Sequence, residues 1–246
     1  MQRVKIRFAA SACAMAAIAA VPARAQQTLT VHDPRPVAAM ILELEKTYSW
    51  QITYEDPPYA YAADIEDLTA GVERYPGKER ILVPKARTLS VVGLAPQENA
   101  AIENVLAGYS RLTGVQAFRL VKNGTVYHVI PNHARDASGS LRRYASILDT
   151  KIAVRPGQRT AYRLIEEICQ KVSQASGKTV ALGMAPHSML MSLNTTVGTA
   201  GRKETAEAVL DQFVAESGTR LSWRLLYDPG LRFYALNLHF VPEKQR

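Results

Sequence analysis

The run Pro36-Val37-Ala38-Ala39-Met40-Ile41-Leu42-Glu43-Leu44-Glu45-Lys46-Thr47-Tyr48-Ser49-Trp50-Gln51-Ile52-Thr53-Tyr54-Glu55 changes its hydrophobic period part-way along. Val37, Met40, Ile41, Leu44 and Tyr48 fall at i, i+3, i+4, i+7 and i+11, one face of an amphipathic helix. Pro36 suits the first turn, where its missing N–H has no intrahelical partner to lose. From Trp50 the period becomes two: Trp50, Ile52 and Tyr54 alternate with Gln51, Thr53 and Glu55, as in a half-buried strand. Thr28–Val31 ahead of the helix is a short β-like run. A strand, a helix with one apolar face and a second strand open an α+β unit.

The pattern continues outward. Thr88–Val92 reads as a strand, and Ile102, Val105, Leu106 and Tyr109 make a second helical face with Gly114 as its stop. Ala117–Val121 and Thr125–Ile130 flank Asn123-Gly124, which predicts a type I′ hairpin. The second half repeats the order. Lys151–Val154 is a strand candidate, and Ala161, Leu164, Ile165, Ile168 and Val172 line a helix ending at Gly177. Thr179–Leu182 and Met191–Val197 read as strands, and Ala206, Val209, Leu210 and Phe213 line a helix ending at Gly218. Leu221–Leu226 and Leu231–Val241 flank the turn signal Asp228-Pro229-Gly230. His128-Val129-Ile130-Pro131 and His239-Phe240-Val241-Pro242 close the two halves, and Asn104-Val105-Leu106 matches Ala208-Val209-Leu210. The expected fold is α+β: two tandem β-α-β-β-α-β-β domains, each a small sheet with two helices on one face. The expected bounds are 26–133, with a loop insertion at 56–87, and 147–246, joined by a Ser-, Gly- and charge-rich linker at 134–146.

Residues 1–25 predict an address. Arg3, Lys5 and Arg7 precede an uncharged run from Phe8 to Val21, and Ala23-Arg24-Ala25 supplies a small-residue cleavage site, the anatomy of a secretory signal peptide. The apolar run is shorter than the roughly 20 residues that a bilayer span needs. The expectation is a periplasmic or secreted chain with no transmembrane anchor after cleavage near Ala25. The 246 residues carry a formal charge of +8, half of it in the signal's four basic residues. The mature balance is modest, and no nucleic-acid partner is expected. Of the two cysteines only Cys169 remains, so no intrachain disulfide is expected.

Motifs for chemistry are sparse. Cys169 follows Ile168 on a helical stripe and reads as a buried apolar residue. His32, His128, His133, His187 and His239 form no compact ligand pair, so no metal site and no cofactor are expected. The acids Glu43/Glu45, Asp64/Glu66/Asp67 and Glu166/Glu167 read as solvated helix faces or a polar loop, and no Gly-x-Ser-x-Gly elbow or phosphate-binding glycine loop occurs. The unusual stretch is Tyr54–Arg87, where Tyr59, Tyr61 and Tyr75 offer contact area with a polar handle. Long insertions in compact domains are often functional. The alternative is a structural flap with Ile81–Val83 as an edge strand. Arg142 and Arg143 lie within the linker, and with Arg155 and Arg159 they make a candidate site for anionic envelope polymers.

The element order, with the helices Pro36–Leu44 and Glu204–Phe213, resembles the short N-terminal domain shared by secretins and TonB-dependent receptors. The resemblance implies a periplasmic signalling or docking module, and it carries no catalytic residue over to this chain. Ile52–Pro57 and Leu221–Leu231 are also similar to stretches of exported bacterial proteins of unassigned function. The expected role is a non-enzymatic binding or adaptor protein for an envelope or outer-membrane protein. Its expected binding residues are Tyr59, Tyr61, Tyr75, Arg142 and Arg143, or else an exposed sheet edge that accepts an added strand. The alternative is an envelope hydrolase with a site between the domains. The sequence sets no oligomeric state.

Overall fold

A computed structural model describes residues 28–71, 80–92 and 97–243. The expected signal at 1–25 and Tyr75 lie outside the described residues. β1 (Thr28–Asp33) leads into α1 (Pro36–Tyr48) and β2 (Gln51–Glu55). The insertion carries β3 (Ile65–Asp67) and β4 (Leu82–Pro84), followed by β5 (Arg87–Val92), α2 (Glu98–Thr113), β6 (Phe118–Asn123) and β7 (Val126–Pro131). β8 (His133–Arg135) and β9 (Leu141–Arg143) pair as a hairpin. The rest comprises β10 (Lys151–Ile152), β11 (Arg159–Thr160), α3 (Ala161–Ser176), β12 (Thr179–Leu182), α4 (His187–Ser192), β13 (Asn194–Thr195), β14 (Glu204–Thr205), α5 (Ala206–Glu216), β15 (Leu221–Asp228) and β16 (Phe233–Phe240).

The long helices follow their apolar stripes. α1 buries Val37, Met40, Ile41 and Leu44, and α3 buries Leu164, Ile165, Ile168 and Val172. Thr160 and Thr205 cap α3 and α5 by accepting from the N–H groups of Arg163 and Ala208. Gly114 and Gly177 end α2 and α3 in the left-handed region, at φ 68° in both cases.

The central sheet has six strands in the order β12-β16-β15-β2-β7-β6. The α+β class is therefore observed, but a separate small sheet for each half is not. Strands of both halves meet where β15 runs parallel to β2, with Arg224 opposite Tyr54 and Leu225 opposite Glu55. The Asp56 N–H extends the junction to the Leu225 carbonyl at 2.8 Å. The reason is elementary: either strand alone would leave a row of backbone donors and acceptors unpaired.

The two faces of this sheet carry different cores. Ile52, Tyr54, Tyr127 and Val129 pack with α1 and α2, and the β1–β5 ribbon packs on the same helices. Gly108 lets α2 come close to that ribbon: a Cβ there would lie 3.3 Å from Leu89. Leu221, Trp223, Leu225, Tyr234 and Leu236 pack with α3 and α5. Partners across a parallel pair share a face, so Leu225 and its α3–α5 core lie on the side of Glu55, opposite Tyr54 and the α1–α2 core. Each half keeps its helices on one face, and the two halves use opposite faces.

Other expectations shift. The 134–146 stretch is largely the β8–β9 hairpin rather than an open linker. Met191–Val197 holds the end of α4 and the short β13, because a brief apolar run does not fix its own period. The β6–β7 hairpin forms, but Asn123 stays in the ladder opposite Val126, and Gly124 alone takes positive φ, at 57°. His128 and His239 are not at matched positions: Tyr127 and Tyr234 hold the same place opposite Ile52 and Val180, which aligns His128 with Ala235.

Candidate functional site

The insertion folds back on the β8–β9 hairpin. β3 and β4 pair antiparallel, and Asp67 holds Arg80 at 2.6 Å while accepting from Thr69. Those bonds hold the Asp67 carboxyl down at about 2, Thr69 contributing most. Asp64 joins two stretches: Arg87 Nη2 lies 3.1 Å from its carboxylate and Arg135 Nη1 3.4 Å. At the hairpin tip Gly139 takes φ 84° and lies flat against the Tyr61 ring, where a Cβ would come 2.9 Å from Cε2. Only glycine meets both requirements. Beside it, Asp136 accepts from the N–H groups of Ser138 and Ser140 and from Arg142 Nε at 3.0 Å. The Ser138 bonds lead in holding its carboxyl at about 2.

The structure thus brings Tyr61 against the hairpin that carries Arg142 and Arg143. Tyr61 is half-buried, and both arginines are exposed. Tyr59 is also half-buried, and its hydroxyl donates to Asp56 at 3.4 Å. Exposed Leu141 adds an apolar side chain to the same hairpin. A cleft of about 50 Å³ runs beside Pro57, Tyr59, Lys85, Arg87, Tyr109 and Arg135. That volume is far below the few hundred Å³ of an ordinary small-molecule site, so the locus is a surface rather than a pocket.

Beneath this surface lies a buried polar seam between the halves. Asp56 is fully buried and accepts from Arg35 Nε at 2.5 Å, the Tyr54 hydroxyl at 2.8 Å and the Tyr227 N–H at 2.9 Å. Burial outweighs Arg35 and raises its pKa above the ordinary carboxylate value. Glu55, on the opposite face, bonds the Ser146 hydroxyl and accepts from the Ile147 N–H at 2.9 Å. Burial pushes its carboxyl up to about 8, against those two bonds. Glu45 accepts from Arg224 Nη2 at 2.8 Å and lies 2.9 Å from His239 Nε2. His128 sits 2.7 Å from Thr53 Oγ1, 3.4 Å from Glu207 and 3.3 Å from Asp211. Burial raises the Glu207 pKa, with His128 opposing. Local pattern does not single out Glu55 or Asp56, because Ser146 and Ile147 on one and Tyr227 on the other come from far along the chain. Glu45 is not the solvated acid that its pairing with Glu43 suggested: it lies four residues after Ile41, on the buried side of α1.

Cys169 is buried, and burial pushes its thiol up to about 12, which suits an inert core residue. Arg159 is tied to Glu167 at 3.0 Å and to the carbonyls of Arg155 and Val197, so it is not a free member of a basic patch. Among the described residues no group of three or more His, Cys, Asp or Glu is arranged to hold a metal ion, and no helix is long and apolar enough to cross a membrane. Comparison with protein-family models, curated proteins and solved structures finds no match to this chain.

Proposed function

We propose that this chain is a non-enzymatic binding or adaptor protein of the cell envelope, exported by its N-terminal signal. Its recognition surface is the face formed by the insertion and the β8–β9 hairpin. The observation that carries this reading is the packing of Tyr61 on Gly139, which sets an aromatic side chain against the tip of the hairpin whose second strand carries exposed Leu141, Arg142 and Arg143. Aromatic and arginine side chains on a rigid support are the usual anchors of protein interfaces. The buried acids speak for the same reading. Glu45, Glu55 and Asp56 are fully buried and engaged by internal partners, which suits cement between the halves better than solvent-facing catalysis.

The tandem reading belongs here too. β2-β7-β6 and β12-β16-β15 are each a parallel pair followed by an antiparallel hairpin, which supports two diverged copies of one α+β unit. That order is also what supports kinship with the short N-terminal domain of secretins and TonB-dependent receptors, and with it a docking role.

The test is capture of envelope proteins by purified protein. The Tyr61→Ala/Arg142→Glu double variant should lose specific captured proteins while keeping its thermal midpoint. Undiminished capture would remove the face from the account. The second reading, a hydrolase between the halves, rests on Ser146 beside the raised Glu55 carboxyl at a depression of about 400 Å³ lined by Tyr144, Tyr227 and Tyr234. It predicts hydrolysis of envelope esters or amides that Ser146→Ala abolishes.

A further inference from the structure

The six-stranded sheet ends in β6 on one side and β12 on the other, and the molecule already contains a junction between their counterparts. Phe118-Arg119-Leu120-Val121 lies along β7 as Trp223-Arg224-Leu225-Leu226 lies along β16, with Leu120 opposite Val129 and Leu225 opposite Leu236. β15 is therefore the counterpart of β6. On the other side Ile52 stands opposite Tyr127 as Val180 stands opposite Tyr234, which makes β2 the counterpart of β12. Helix side chains agree. Glu45, four residues before left-handed Ser49, accepts from the Ile52 N–H; Ser173, four residues before left-handed Gly177, accepts from the Val180 N–H at 2.8 Å. The internal β15–β2 junction is thus a β6-type strand joined to a β12-type strand.

The operation relating the halves preserves strand order across the sheet, reverses strand direction and exchanges faces. That is a half-turn about an axis crossing the strands, with a step of three strands. Such an operation does not close on itself. Its next application sets β12 of a second copy beside β6. A second observation points the same way. α5 covers the first half's face at His128 through Glu207 and Asp211. The aligned residue in the second half, Ala235, is only half-buried. The Val105-Leu106 and Val209-Leu210 match sets Glu103 of α2, which is exposed, in the place of Glu207.

We propose that copies of this chain assemble head to tail, with β6 of one extending the sheet in parallel at β12 of the next and α2 covering Ala235 of that neighbour. Leu225 gives its carbonyl to the Asp56 N–H, so its counterpart Leu120 directs its backbone groups outward from β7. Leu225 stands opposite Glu55 within the chain, so the same register sets Leu120 opposite Gly183 and brings its N–H to the Leu182 carbonyl, while the Met184 N–H, in the place of Asp56's, is held by Asn237. Ser173 already holds the N–H and carbonyl of Val180, and Arg119 finds Ser173 where Arg224 finds Glu45. The assembly is accordingly weak and concentration-dependent.

Sedimentation velocity of the purified protein over a concentration series tests this. The expected result is an open series of dimers, trimers and larger species. Leu120→Pro removes one outward N–H and spares the β6–β7 ladder, so it should weaken association about tenfold with an unchanged far-UV spectrum. Ala235→Glu, facing Glu103 of the neighbour, should weaken it independently, and Ala235→His should tighten it by restoring the pairing of His128 with Glu207. A monomer at every concentration, a dimer that grows no further, or a series indifferent to both Leu120→Pro and Ala235→Glu would overturn the proposal.

Discussion

Glu55 and Asp56 are consecutive, fully buried and solvated in different ways. Asp56 meets a cation, Arg35, at 2.5 Å; Glu55 meets a hydroxyl and an N–H, which leaves burial free to hold its proton. Asp56→Ala leaves the Arg35 guanidinium without its partner beneath the insertion. Removing one member of a buried ion pair costs about 3–5 kcal/mol, which urea unfolding should read as a loss of that size. Glu55 predicts a pH dependence. The unfolded chain releases its proton in the ordinary carboxylate range, near 4.5, whereas the folded protein keeps it to about 8. Between those values the folded state holds the extra proton, so stability falls as pH rises, by about 1.4 kcal/mol per pH unit from this group. Glu55→Gln should flatten that part of the slope and leave the shares of Asp56 and Glu207, whose pKa values are also raised. A profile of wild type and variant that overlays across this window would refute the assignment.

At the scale of elements, local signals place the helices and long-range ones complete the sheet. Thr205 accepts from the Ala208 N–H at 3.2 Å at the start of α5, and Thr205→Ala should cost about 1 kcal/mol, seen as a lowered thermal midpoint. Gly177→Ala should cost a similar amount, because φ 68° strains any residue with a Cβ. The stripes of α1, α2, α3 and α5, the strand at Thr179–Leu182 and the β6–β7 hairpin were all legible from period and punctuation. α4 was not, because its six residues carry too little apolar pattern to separate helix from strand. The β15–β2 junction was not legible either. β2 and β15 each alternate like half-buried strands, and nothing in such alternation says which edge meets which. The partners that tie Glu45, Glu55 and Asp56 to the rest of the seam, Arg224, His239, Ser146, Ile147 and Tyr227, lie 91 to 194 residues away, beyond any local signal. Of the candidate site, the residue types were readable in Tyr59, Tyr61, Arg142 and Arg143. Their assembly rests on Gly139 touching Tyr61, a contact made only after folding.

At the scale of the whole molecule, two apolar cores share one sheet and a polar seam. That arrangement predicts a single cooperative unfolding transition, and the chain carries its own reporters. Trp50 packs with the α1–α2 core and Trp223 with the α3–α5 core. Trp50→Phe and Trp223→Phe variants, each reporting from the other half, should show coincident urea midpoints once corrected for their small stability differences. Separate midpoints would mean that the junction and seam do not couple the halves. The coupled body is what holds the insertion and hairpin together as one face, the surface proposed for recognition. It is tested most directly by photo-cross-linking in the intact cell envelope, with a photoreactive residue placed at Tyr61, at Arg142 or, as a control, at exposed Gln170 on α3. The same envelope protein should be joined to the chain from positions 61 and 142 and none from position 170. Adducts from 170 alone, or no specific adduct from 61 and 142, would contradict it.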